Sequence, residues 1–323
     1  MKVLVVGGAG YIGSHACKKL NLEGHEPIVM DNLERGDISS VKWGKFYKGD
    51  LRNINDISKV FELEKIDAVM HFAAYAYVGE SVEKPDEYFN NNIVGTLNLI
   101  QTMKKFKVRK LIFSSTCAVY GTPLTLPVNE ETELKPESPY GFSKLIAEYL
   151  IKQYMDLGYL DPIIFRYFNV IGSDPEGEIG ENHEPETHIL PIALEVASNK
   201  RDYFYIYGLD YNTKDGTCIR DYVHVNDLVD AHILGLNYDA TTCGNIIFNL
   251  GNDVPYSVKD IINKVQDVTG KKINLIESER RNGDAEALYS SSKKATLDLN
   301  WKPIFTEISE AIKHAWNWEL NKK

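Results

Sequence analysis

The chain has 323 residues and a formal charge of −10, with 43% apolar and 25% charged residues. At roughly 150 residues per domain, that length suggests two domains with a sizeable core and excludes a disordered chain. The acidity argues against a general binder of nucleic acid or anionic membranes. No apolar run approaches the roughly 18 residues that a membrane helix needs.

The apolar run at residues 1–6 is too short for a secretory signal and leads straight into glycines. It reads as a first strand (2–6), followed by a helix at 12–23 and a strand at 26–31. A helix at 54–65, a strand at 68–72 and a long helix around 88–106 come next. Then follow a strand at 110–114, a helix at 141–157 and a strand at 162–167. Strands alternating with helices of this length imply βαβ units and a mostly parallel sheet covered on both faces. Beyond residue 169 the pattern changes. Residues 173–185 read as a Gly-, Pro- and acid-rich loop, 203–207, 221–225 and 246–250 as short strands, and 258–269 and 308–319 as helices. The expected fold class is α/β, a doubly wound parallel sheet with a smaller α/β substrate-binding domain. Residues 1–169 with about 215–242 form the larger domain, and about 170–214 with 243–323 the smaller one.

Gly7, Gly10 and Gly13 follow the first strand and open the first helix, with Tyr11 and Ile12 between them. Missing side chains let the backbone turn tightly and approach a pyrophosphate at the helix N-terminus. Asp31 ends the second strand, where a carboxylate accepts both ribose hydroxyls and repels a 2′-phosphate, so NAD is favoured over NADP. Asp50 follows a candidate third strand and reads either as a partner of the adenine amino group or as a solvated turn residue.

Tyr140 and Lys144 lie four apart on a predicted helix and so share a face. An ammonium beside a phenol favours the phenolate, which would lower the tyrosine toward neutrality and make it a general acid or base. Ser114, Ser115 and Thr116 end the preceding strand, and strand C-termini line the ligand crevice of a parallel sheet. Thr116 can therefore place a hydroxyl beside Tyr140. The four cysteines, Cys17, Cys117, Cys218 and Cys243, form no CxxC pair, and no histidine cluster is seen to complete a zinc site. They read as reduced thiols of a cytoplasmic protein that carries no metal.

The glycine turn and the Thr116, Tyr140, Lys144 set resemble the extended short-chain dehydrogenase/reductase family, closest to its UDP-glucose 4-epimerase branch. Further matching segments are 71–74 (HFAA), 78–81 (VGES), 90–92 (NNN), 166–169 (RYFN), 215–225 (DGTCIRDYVHV) and 280–284 (RRNGD), in family order across nearly the whole chain. The resemblance implies a Rossmann-type sheet and a tightly held NAD on Asp31, Asn32, Asp50, Leu51, Asn91, Ser114, Lys144 and Tyr167, in a channel lined by Phe72, Ala73 and Ala74. It implies that Tyr140 takes the proton of the sugar 4-hydroxyl, that Thr116 hydrogen-bonds that hydroxyl, and that a 4-keto sugar turns over in the pocket. The implied substrate is a UDP-sugar, and the implied assembly is a homodimer.

Arg220 and Arg281 offer planar forks for a diphosphate. Asn169 suits a phosphate or the sugar, and Asp284 a ribose hydroxyl. Tyr205 and Tyr207 share one face of a strand and read either as uracil-flanking rings or as ordinary strand packing, with Tyr207 stacking on uracil by family analogy. His188 and Ile189 border the substrate or are structural. His15 reads as a packed helix residue. Ala76 stands where some family members have a lysine. Leu288 stands where a tyrosine excludes N-acetyl sugars, so room for a 2-acetamido group is expected. A 4,6-dehydratase needs an acid pair after the threonine, and Cys117 and Ala118 cannot supply it.

Overall fold

The computed structural model describes residues 1–183, 185–240, 244–281 and 284–322. In chain order its first part runs β1 (Lys2–Val6), α1 (Tyr11–Leu22), β2 (Glu26–Asp31), β3 (Lys45–Lys48), α2 (Ile54–Leu63), β4 (Ala68–His71), α3 (Val78–Glu83), α4 (Pro85–Tyr88), α5 (Gly95–Phe106), β5 (Lys110–Thr116), α6 (Pro139–Asp156) and β6 (Asp161–Tyr167). The second part runs β7 (Asn169–Ile171), α7 (Ile189–Ala197), β8 (Phe204–Tyr207), β9 (Ile219–His224), α8 (Val225–Asn237), β10 (Ile247–Leu250), β11 (Pro255–Ser257), α9 (Val258–Thr269), β12 (Leu275–Ser278), β13 (Ala287–Leu288), α10 (Lys293–Asp298) and α11 (Ile308–Asn321).

Seven strands form one sheet in the order β10-β6-β5-β4-β1-β2-β3, with every pairing parallel. Alternation along β1 divides the core between two faces. Val3 and Val5 join Leu20 of α1 and Leu228 of α8. Leu4 and Val6 join Ile57 of α2, Leu99 of α5 and Ile151 of α6. The chain lays β2 and β3 on one side of β1 and then crosses to β4 on the other. The loops after β1 and β4 therefore diverge at a topological switch point, where a doubly wound sheet opens its ligand crevice. The expected Rossmann-type sheet is present.

Beside this sheet, β9 pairs with β7, β11 and β13, and β8 pairs with β12. Their core joins Leu190 and Leu194 of α7, Ile206, Ile262 and Val265 of α9, and Ile312 of α11. α9 begins at a capping box between Ser257 and Asp260 and ends at Gly270, whose φ is +66°.

Three expectations need correction. Residues 247–250 were expected in the smaller domain, but they form the edge strand β10 of the main sheet, in register with β6. Residues 219–224, expected in the larger domain, pair only with strands of the second part. The helix expected at 88–106 is interrupted by a π-helical turn at Phe89–Val94. That wider turn shifts Asn91 and Asn92 relative to the α5 face, a device common at functional sites.

Candidate active site

The turn after β1 packs directly against the chain that leaves β4. Phe72 N and Ala73 N both donate to Val6 O, at 2.8 and 3.0 Å. A Cβ on Gly7 would lie 2.6 Å from Ala73 N, and one on Gly13 would lie 2.1 Å from Gly7 O. Those two glycines are therefore demanded by the fold itself. A Cβ on Gly10 would meet only Gly7 O, at 3.3 Å, so its side of the turn is open. No side chain caps the N-terminus of α1, and its first turn carries no acid. An uncapped, positively polarised helix end beside an open glycine fits a pyrophosphate.

Asp31 sits under the same turn, accepting from Ala9 N at 3.1 Å and Leu33 N at 2.8 Å. Burial raises its carboxyl. Asp50 is held by Arg52, with Nε 2.9 Å from Oδ1, and by Asn32 Nδ2 at 3.1 Å, and the Arg52 guanidinium keeps its carboxyl down at about 2. Arg52 also reaches Glu34 at 2.5 Å and the Tyr75 hydroxyl at 3.1 Å. Beside Ala76, where some family members are expected to carry a lysine, Arg35 is one of two nearby cations, with Arg52. The Arg35 guanidinium lies over the Tyr75 and Tyr77 rings and forks onto Glu80, with both contacts at 2.7 Å. Leu51 is buried in the core below, against Gly95. The Tyr11 hydroxyl donates to Gly172 O at 2.6 Å, and His15 is buried against Tyr11, as expected of a packed residue.

Tyr140 and Lys144 stand on the first turns of α6, which starts at the Ser138 cap with Pro139 in its first turn. The Thr116 hydroxyl, at the end of β5, reaches the Tyr140 phenol and also accepts from Ala118 N at 3.1 Å. Lys144 is 2% exposed and, among the described residues, has no ion-pair partner. Its Nζ lies 4.6 Å from the centre of the Phe113 ring. Burial drops its ammonium to about 7, and the charge of Glu148 opposes this only in part. Glu148, one turn further along, is taken by Arg166 at 2.7 and 3.1 Å and by the Ser115 hydroxyl. That buried pair ties α6 to the ends of β5 and β6 and fixes where Tyr140 and Lys144 stand.

The phenol departs from expectation: burial raises Tyr140 to about 12, and the Thr116 hydrogen bond only moderates this. Lys144 shares its helix face, but enclosure is the larger effect. The Tyr167 hydroxyl is engaged by His232, with Ser114 close by. Asn91 donates to Asn92 at 3.0 Å, and Asn92 joins Tyr75 N at 2.9 Å to Ser143 Oγ at 2.9 Å. Asn92 therefore links the β4 loop, the π-helical turn and α6. The run of three asparagines was the available sequence signal for it.

Across the crevice the contacts are sparser. Arg220 on β9 lies 3.5 Å from Asp284 and is close enough for its charge to lower the Cys117 thiol beside Thr116, although burial pushes that thiol up to about 12. The Arg281 guanidinium lies 3.8 Å from the centre of the Tyr207 ring, and Tyr205 stacks on Tyr207 with ring centres 6.3 Å apart. Asn169 hydrogen-bonds Tyr222. Leu288 is buried with Val119, Val128 and Phe168, next to Cys117. His188 precedes Ile189 at the start of α7 and meets Glu181 at 2.8 Å and Glu186 at 2.9 Å. Cys243 and the Asn282–Gly283 part of the 280–284 motif lie outside the described residues.

Residues 3–251 match the NAD dependent epimerase/dehydratase family. The chain belongs to that family. A UDP-glucose 4-epimerase of Lacticaseibacillus casei is 46% identical, with 99% of this chain and 97% of that protein aligned. A UDP-glucose 4-epimerase from Brucella ovis, solved in complex with NAD, superimposes with a TM-score of 0.93 at 42% identity, covering 98% of this chain and 97% of that one. The UDP-Glc/GlcNAc 4-epimerase from Campylobacter jejuni superimposes at 0.84 with 39% identity, covering 99% of each chain. As a member of this family the protein depends on NAD, and the open glycine turn and the uncapped α1 supply a fitting cradle.

Proposed function

We propose that this protein is a UDP-sugar 4-epimerase, inverting C4 of UDP-glucose and UDP-galactose through a 4-keto sugar. The observation that carries this reading is the convergence of Thr116, Tyr140 and an ion-pair-free buried Lys144 at the strand ends beside the glycine turn. Asp31, Asn32, Asp50, Asn91 and Lys144 would hold the NAD, between the turn at Gly7, Gly10, Tyr11, Ile12 and Gly13 and the segment Phe72, Ala73 and Ala74. Bound NAD supplies a reversible hydride acceptor and a positive ring charge that favours the phenolate of Tyr140. With C4 giving up its hydride to the acceptor that bound NAD would supply, removal of the O4 proton by Tyr140, while Thr116 orients that hydroxyl, would leave C4 a planar ketone. The ketone would then present its other face, and Tyr140 would return the proton to O4 as C4 regains its hydride.

Arg220 and Arg281 would grip the diphosphate, Tyr207 and Tyr205 the uracil, Asp284 the ribose, and Asn169, His188 and Ile189 the sugar end. Holding the nucleotide rather than the sugar lets the ketone turn without escaping. The division of labour we propose places the cofactor on the seven-stranded sheet and the UDP-sugar mainly on the strands around β9 and β8. Leu288, packed with Val119 and Phe168, extends the substrate range to UDP-GlcNAc and UDP-GalNAc, because a leucine is smaller than a tyrosine at that position. Val94, Phe142 and Tyr149 are exposed on neighbouring helical turns and suit a homodimer through α5 and α6. The described cysteines Cys17, Cys117 and Cys218 are free, which suits the cytoplasm. Among the described residues, no helix is long and apolar enough to cross a membrane.

The test is product analysis without added NAD, offering UDP-galactose and UDP-GlcNAc separately and resolving the epimers by chromatography. Conversion of both is expected. Conversion of UDP-galactose alone discards the Leu288 argument, and conversion of neither, even with NAD added, discards the epimerase reading.

A further inference from the structure

The loop before α7 brings together four donor side chains, of which only His188 has a place in the proposed reaction. Glu181, His183, Glu186 and His188 each offer one ligand atom, and these four atoms lie within 4.8 Å of one another. Glu181 Oε1 is 2.8 Å from His188 Nδ1 and 3.3 Å from His183 Nδ1, and Glu186 Oε1 is 2.9 Å from His188 Nδ1. Four ligands at bonds of about 2.0–2.2 Å around a tetrahedral ion stand about 3.3–3.6 Å apart, so modest rotamer shifts fit all four to one centre.

Two further observations point to a ligand. The His183 Nδ1 atom is buried and makes no well-formed hydrogen bond, its one close acceptor, Glu181 Oε1, standing 3.3 Å away. A buried polar atom without a partner is unfavourable unless something else satisfies it. The carboxylates of Glu181 and Glu186 are also little exposed, at 8% and 4% for their side chains, and both converge on one imidazole. A divalent ion among two carboxylates and two neutral imidazoles closes this charge balance at zero. Thr187 N and His188 N each donate to Glu186 Oε1 at 2.7 Å, fixing that carboxylate and leaving its other oxygen for an ion.

We propose that Glu181, His183, Glu186 and His188 form a site for a divalent transition metal. Two imidazole nitrogens and two carboxylate oxygens suit Zn²⁺, Co²⁺ or Mn²⁺ and disfavour Mg²⁺, which prefers an all-oxygen octahedral shell and retains its waters. The site's role is to clamp the loop. Tyr77, immediately before α3, donates to Pro185 O at 3.4 Å and sets its ring against His183 and His188. Asn182 reaches Asp37 at 3.2 Å. An ion here pins the loop between the β4 crossover and the start of α7, along the side of the crevice.

The experiment uses the whole protein, tag-free and with the cofactor it retains, after chelation and desalting. Uptake of Zn²⁺, Co²⁺ and Mg²⁺ is followed by equilibrium dialysis with elemental analysis, and Co²⁺ also by its visible absorption. One saturable Zn²⁺ or Co²⁺ per chain is expected, with Mg²⁺ weaker, and added Zn²⁺ should raise the melting temperature. His183→Asn and Glu186→Gln should each weaken uptake by about tenfold or more and abolish the Co²⁺ spectrum. Absence of saturable uptake by the unaltered protein overturns the site, and a proton shared on His188 is then the cation. Uptake undiminished in both variants overturns it as well, by placing the ion elsewhere. Because every readout is metal binding, failure here is distinct from failure of the epimerase reading.

Discussion

On the seven-stranded side of the crevice, Lys144, Asn92 and Asp31 are buried, and the chain itself fixes their surroundings through Ser143, Tyr75 N, Ala9 N and the Arg166–Glu148 pair. On the side of β8 and β9, Tyr205 is 46% exposed, and Arg220 spends a hydrogen bond on its own neighbour's carbonyl, Ile219 O, at 2.8 Å. The first wall is organised before any ligand arrives. The second has side chains of the right chemistry whose partners are few. That contrast suits a cofactor kept through many turnovers and a substrate exchanged at each one. Groups already fixed lose little entropy on binding, whereas exposed side chains such as Tyr205 and Arg281 are ordered anew each time.

The largest effect belongs to the fixed wall. Tyr140→Phe should lower kcat by about 10²–10⁴-fold, the usual contribution of a positioned acid or base. Retained NAD and melting temperature should be unchanged, because the ring stays and only the hydroxyl near Thr116 is lost. Near-normal turnover would remove Tyr140 from the chemistry. On the other wall, Arg220→Ala should raise KM for UDP-galactose by about 10–100-fold, the worth of a charge-assisted hydrogen bond of roughly 1.5–3 kcal/mol. It should leave NAD content alone. A loss of NAD instead of a KM change would erase the contrast between the walls.

These two predictions rest on features of unequal legibility. The glycine turn, the strand-end Thr116 and the Tyr140, Lys144 pair were readable because each is a local pattern: a backbone need, a strand terminus, a helical period. The sheet membership of Ile247–Leu250 was not, because a strand's own alternation does not name its neighbour. The phenol of Tyr140 was misjudged for a similar reason. Helical spacing shows that a lysine shares its face, but how far walls from other elements enclose the ring is a tertiary fact. Glu181, His183, Glu186 and His188 were invisible as a group, since they lie in a loop with no periodicity to align them.

Acid tests the fixed wall as a whole. Burial lowers His15 and His232 to about 4 and His71 to about 3. Unfolded, each titrates near the ordinary value of about 6.5. Below that pH the unfolded chain therefore binds more protons than the fold, and stability falls as pH falls. Each imidazole adds about 1.4 kcal/mol per pH unit until its folded value is reached. Asp227 opposes them, because burial raises its carboxyl to about 6 and the fold gains protons there first. His224 is likewise lowered to about 3, and burial also raises Asp31, Glu130 and Asp221. With four strongly lowered imidazoles against one strongly raised carboxyl, urea midpoints should drop from pH 6.5 to 4.5. A flat profile would mean that these histidines are not held neutral.

The smallest effect probes the β8 wall from within. Tyr207 carries the Arg281 guanidinium on its face, 3.8 Å from the ring centre, whereas Tyr205 touches the site only through Tyr207. Aromatic stacking on a base is worth about 1–3 kcal/mol, and part of that is lost here to ordering an exposed strand. Tyr207→Leu should therefore raise KM by about tenfold, near the low end of that range, by removing both the stacking face and the seat of Arg281. Tyr205→Leu should change KM by less than about threefold, since a leucine at an exposed strand position still covers Tyr207. The comparison between the two matters more than either value. A larger loss from Tyr205 would put the base on the outer ring, and would mean that Arg281 over Tyr207 closes this end of the site instead of receiving the ligand.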